Sequence, residues 1–71
     1  MTNENDKNRK RLGDKLRKAR ERAHLTQVEV AAKAGVNDSY YAQIERGEVN
    51  VSFDKLQSIV KVLKIKSLDL L

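Results

Sequence analysis

Two helix-opening signals in quick succession, each followed by a glycine, constrain this chain more than any other feature. Thr26 can accept a hydrogen bond from the backbone of Glu29, and Glu29 can return one to Thr26, which makes a complete capping box. Leu25 before the cap can pack on Val30 behind it as a hydrophobic staple. Gly35 then supplies a residue that enters the left-handed region without steric cost and stops the helix. That leaves about two turns. Asn37 opens a second helix almost at once, with Val36 stapled to Tyr41, and Gly47 closes it after about Arg46. Two short helices joined by Gly35-Val36-Asn37, with small Ala31 where their backbones approach, form a steep pair that projects one face of the second helix outward.

The flanking segments extend this pattern. Leu12, Leu16, Ala19 and Ala23 recur at helical spacing among charged residues and predict a first helix from about Lys10 to Ala23, with Gly13 weakening its first turn. Ser52 caps a later helix whose apolar stripe is Leu56, Ile59, Val60 and Leu63, and Ser67 can cap one last turn from Leu68 to Leu71. No stretch alternates as a strand would. The expected fold is all-α: a compact bundle of four to five short helices around a central helix-turn-helix. Residues 1–8 are polar and aperiodic and read as a flexible N-terminal tail, with residues 9–71 forming one domain.

Composition narrows the function classes. The chain has 71 residues and no cysteine, so neither a disulfide framework nor a thiolate zinc site supplements its core. His24 is the sole histidine and cannot build a metal site by itself; it reads as a loop residue. No pattern of nucleophile, base and acid, no metal-ligand spacing and no phosphate loop appears, so an enzyme and a cofactor are not expected. The start lacks an apolar signal core and no apolar run is long enough to span a bilayer, which makes the cytoplasm the expected location. The net charge of +5 suits a polyanionic partner. The cations between Lys7 and Arg22, Arg17 among them, read equally well as a solvated helix face or as a phosphate-binding arm.

The segment from Thr26 to Gly47 resembles the phage Cro/repressor-type helix-turn-helix family, also called the XRE family. The likeness rests on the Thr26-Gln27 opening, Ala31 and Gly35 about the turn, the closing Ile44-Glu45-Arg46-Gly47, and the helix from Phe53 to Leu63 that follows Ser52. It implies a lambda repressor-like DNA-binding domain that reads double-stranded DNA. Restriction-modification controller proteins share its length and its Tyr41-x-x-Ile44-Glu45-Arg46 stretch; phage repressors and antitoxin-like regulators are the other subtypes.

Residue roles follow from that resemblance. Base readers fall on the exposed start and face of the third helix: Asn37, Asp38, Ser39, Ala42 and Gln43. Gln43 is the favoured one, since its amide pairs two ways with adenine, while Ser39 suits several bases and Ala42 meets a thymine methyl. Asn37 is equally a plain N-cap, and Asp38 either accepts from a cytosine amino group or only favours the helix N-terminus. Gln27, at a helix start with free N–H groups, is expected over the DNA backbone. Tyr40, Arg46, Asn50, Ser52, Lys55 and Arg17 are further backbone candidates, with a cap as the alternative for Ser52 and an idle surface ring for Tyr40. Arg20 and Glu45 correspond to a partly buried structural ion pair. Tyr41 takes a core position usually held by a branched aliphatic, with its hydroxyl expected at the edge.

One recognition helix reads only a few base pairs, so a homodimer on a pseudo-palindrome is the expected partner arrangement. Leu63, Ile65, Leu68, Leu70 and Leu71 crowd the last nine positions and are the expected two-fold surface. A chain of this length leaves no expected room for a small-molecule sensor. A protein-interaction adaptor on the same scaffold is the alternative function.

Overall fold

Side-chain caps set the starts of three helices. In the computed structural model, which describes residues 4–66, the element order is α1 (Glu4–Arg22), α2 (Gln27–Ala34), α3 (Asp38–Glu45) and α4 (Phe53–Leu63), with no strand among the described residues. The Thr26 hydroxyl accepts from the Glu29 amide at 3.0 Å, and the Glu29 carboxylate accepts from the Thr26 amide at 2.8 Å. The Asn37 side chain accepts from the amides of Ser39 (2.8 Å) and Tyr40 (3.2 Å), and Ser52 accepts from that of Lys55 at 3.3 Å. Each bond satisfies a donor that the first turn of a helix leaves free.

The ends share one geometry. A residue in left-handed conformation follows each helix: His24 (φ 58°), Gly35 (72°), Gly47 (73°) and Lys64 (56°). The next amide reaches back to close a Schellman motif: Leu25 to the Arg20 carbonyl, Val36 to Ala31, Glu48 to Gln43 and Ile65 to Val60, at 2.9–3.2 Å. Glycine marks two of these ends in the sequence. His24 and Lys64 do the same work against the steric preference of a β-carbon.

The first helix differs from its expected bounds. It begins at Glu4 instead of near Lys10 and so includes much of the segment expected as a tail. Acidic Glu4 and Asp6 lie in its first turn, where they oppose the positive end of the helix dipole, and Asp6 pairs with Arg9.

The core gathers Leu16 of α1, Val30 and Ala31 of α2, Tyr41 and Ile44 of α3, and Ile59 and Leu63 of α4. Leu12, Leu25, Val36, Val51, Leu56 and Ile65 pack around it half-buried. Gly13, expected only to weaken a helical turn, is the crossing point of α1 and α3. A β-carbon there would lie 2.3 Å from the Glu45 carbonyl oxygen. Tyr41 is fully buried, hydroxyl included, so that group is not at the edge as expected.

Candidate nucleic-acid interface

The outward side of α3 carries the expected base readers. Asp38 and Ser39 are exposed, Ala42 and Gln43 half-exposed, and Asn37 sits at the opening of the helix. Asn37 is engaged as the cap. The Asp38 carboxylate accepts from the Ser39 amide at 3.0 Å, which places an anion at the helix start beside the neutral Asn37 cap. The Gln43 side chain has no hydrogen-bond partner among the described residues, leaving both ends of its amide available.

Tyr40 is not an idle ring. It packs half-buried against the core, and the Lys55 ammonium lies 4.9 Å from its centroid. A cation over an aromatic face is held by the ring quadrupole, so Lys55 is tied to the start of α4 and to α3 at once.

Behind α3 a charged network fixes its orientation. Arg20 donates to Glu45 through Nε (2.7 Å) and Nη2 (3.1 Å), and through Nη1 to the Leu25 carbonyl (3.0 Å). The Gln27 amide donates to the Glu45 carboxylate at 3.0 Å. An ionised carboxylate only accepts, so Gln27 must turn its NH2 end inward, leaving its oxygen and one N–H for other partners. Glu45 is therefore bonded to α1 and to the start of α2 while the opposite side of its own helix faces outward. Its side chain is 3% exposed and that of Arg20 14%. Burial by itself would raise the Glu45 pKa; the hydrogen bonds from Arg20 and Gln27, with the Tyr41 hydroxyl close by, outweigh it and hold the carboxyl below its ordinary value. The Tyr41 hydroxyl lies outside hydrogen-bonding geometry, and burial first, then the Glu45 charge, push its ionisation far up.

The remaining backbone candidates are already engaged with other residues. Arg46 forms a two-point exposed ion pair with Glu48 at 2.9 and 3.0 Å, so its charge is shared and not free as expected. Arg17 pairs with Asp14 and, at 3.7 Å, with Glu21. Ser52 is engaged as a cap, and Asn50 is exposed and bonded to Arg9 at 3.1 Å. Reasoning from sequence missed Arg9, which is only one cation in a basic run. It also missed the exposed apolar pair Val28 and Phe53.

Of the residues expected on a two-fold surface, Leu63 belongs instead to the core, 7% exposed, because it completes the α4 stripe against α1 and α2. Ile65 is half-buried beside it. Leu68, Leu70 and Leu71, like the Ser67 cap, lie outside the described residues. No described group of acidic, histidine or cysteine side chains could hold a metal ion, and no described helix is long and apolar enough to cross a membrane.

Two short helices in contact across the three-residue turn Gly35-Val36-Asn37, the second presenting a polar face, define a helix-turn-helix domain. The family profile described as helix-turn-helix matches residues 16–71, and the chain belongs to that family, in its XRE-type branch. The control protein C.BamHI of Bacillus amyloliquefaciens is 34% identical over 61 residues, which cover 84% of this chain and 75% of that protein. The crystal structure of the restriction-modification controller protein C.AhdI from Aeromonas hydrophila superposes with a TM-score of 0.83 at 31% identity, covering 87% of this chain and 94% of that one. An uncharacterised HTH-type transcriptional regulator of Mycobacterium tuberculosis is 36% identical over 55 residues, 78% of this chain but 39% of its own length. The chain thus spans about two fifths of that longer regulator.

Proposed function

We propose that this protein is a sequence-specific regulator of transcription that binds double-stranded DNA as a homodimer, with α3 of each copy in the major groove. The observation that carries this reading is the α3 face itself: Ser39, Ala42 and Gln43 point outward from a helix whose rear is locked by Arg20, Glu45 and Gln27. A rigid mount matters because base edges are discriminated by hydrogen-bond geometry, and a helix free to rock would read several sequences equally.

In this reading Gln43 pairs with adenine, Ala42 meets a thymine methyl and Ser39 serves a third position, with Asn37 and Asp38 chiefly holding the helix start. Gln27, Tyr40, Asn50, Ser52, Lys55, Arg46 and Arg17 supply the phosphate contacts. Ile65 with Leu68, Leu70 and Leu71 forms the two-fold surface, so that two reading helices stand about 34 Å apart or a multiple of it. Binding then occludes a promoter or recruits polymerase beside one, in the cytoplasm, and follows protein concentration through coupled dimerisation and DNA association without a small-molecule effector. Likeness to the two control proteins supports the controller subtype.

Selection of bound duplexes from a random pool tests the proposal. A recovered pseudo-palindrome with half-sites about one helical turn apart is the expected result. Absence of any salt-dependent binding to nucleic acid would instead make the fold a protein-interaction adaptor.

A further inference from the structure

The turn that follows α3 is braced from an unexpected place. Arg9, on the early part of α1, donates through Nη1 to the Asn50 side-chain oxygen at 3.1 Å and through Nε to the Gly47 carbonyl at 3.4 Å. Its other terminal nitrogen contacts Asp6. Gly47 permits this approach, since a β-carbon there would lie 2.8 Å from the Lys10 Cα. We propose that Arg9 is a positioning residue for DNA binding: it fixes the Asn50 carboxamide with its N–H side turned outward, ready to donate to a phosphate. The inference rests on the DNA-binding reading above and names the residue that prepares one of its contacts.

A carboxamide has two ends, an oxygen that accepts and a nitrogen that donates, and an unrestrained asparagine presents either. A guanidinium carries donors only, so the end of Asn50 that faces Arg9 must be the oxygen. A phosphate oxygen only accepts. The end left to solvent at Asn50 is therefore the one a phosphate requires. Arg9 does this with its charge opposed by Asp6 and its side chain 26% exposed, which sets it apart from a cation reaching for DNA on its own account. Fixing the amide in advance removes part of the ordering cost that a free loop side chain meets on binding.

The test uses the intact protein and a duplex recovered by selection. Affinities of wild type, Arg9→Met, Asn50→Ala and the double variant are measured across a salt series, with melting curves for each. We expect each single variant to weaken binding about tenfold, the size of one hydrogen bond to a charged acceptor at its lower end. The double variant should be no weaker than either single one, and the salt slope should stay at the wild-type value. Asn50→Asp guards against a variant that unfolds, because a carboxylate keeps the bond from Arg9 but donates nothing: its melting temperature should hold or rise while affinity falls further than for Asn50→Ala. A salt slope reduced by about 0.9 in Arg9→Met would show Arg9 on a phosphate itself and overturn the proposal. Additive losses, or no loss, would overturn it as well while leaving DNA binding intact. Failure of the wild type to bind any duplex would remove the reading beneath it.

Discussion

A single methyl group at position 13 decides whether α1 can lie against α3. The β-carbon of an alanine would meet the Glu45 carbonyl at 2.3 Å and that of Ile44 at 2.5 Å, and both are backbone atoms that cannot swing aside. Gly13→Ala should therefore cost about 3 kcal/mol, the upper end for overpacking, despite the better helix propensity of alanine. Thermal melting would show it; unchanged or raised stability would mean the two helices can separate freely. Tyr41 predicts the opposite sign. Its hydroxyl is buried without a hydrogen bond, so Tyr41→Phe should leave stability equal or raise it by about 1 kcal/mol, read as a shifted urea midpoint. A clear loss would reveal a partner for that hydroxyl. Neither feature could be read in the sequence. Gly13 looked like a weak helical residue because helical spacing reports which face a residue occupies and not how closely another backbone passes it.

Helix starts and helix ends were unequally legible. Thr26, Asn37 and Ser52 cap through their own side chains, and Gly35 and Gly47 turn left-handed because they lack a β-carbon, so the residue type carries the signal at each place. His24 and Lys64 close the same motif without any such mark, because there the backbone bonds of the next residue, Leu25 to Arg20 and Ile65 to Val60, hold the conformation. Replacing either with glycine should raise stability by about 0.5–1 kcal/mol, since relief of strain exceeds the added chain entropy. Calorimetric melting of His24→Gly and Lys64→Gly would check this, and a fall in both would contradict it. The early start of α1 was hidden for a related reason: residues 4–8 have no apolar periodicity, and Arg9 joins residues far away in sequence.

The network joining α1, α2 and α3 gives the fold an acid-sensitive point. Glu45 is held below its ordinary value of 4.5, so its contribution is fully present above that pH and is lost as pH falls through the lower folded value. Stability should thus be level in this respect from neutrality to about pH 4.5 and decline below it, with Glu45→Gln showing a shallower decline on acid titration by circular dichroism. An identical decline in the variant would assign acid loss to other carboxylates.

At the scale of the whole molecule, α3 supplies both part of the core and the proposed reading face. Tyr41 and Ile44 are buried on the inner side of α3 while Ser39 and Gln43 stand on its outer side, so the packed face and the proposed reading face are opposite sides of one short rod. That division was readable because a helix repeats every 3.6 residues and one face must be apolar. Leu63 was misread because counting apolar residues near the chain's last positions does not say which of them α4 already uses. The likeness to a controller protein at a TM-score of 0.83 shows that the arrangement is shared across much of the chain.

Sequence-specific binding of the proposed kind requires α3 to meet base edges with its outer side, and a single comparison decides whether it does. Binding preferences of the wild type and of Gln43→Ala would be profiled against the same randomised duplex pool. The account predicts that the variant loses discrimination by about 1–3 kcal/mol at one position in each half-site and keeps it elsewhere. An equal loss at every sequence, or an unchanged profile, would contradict it.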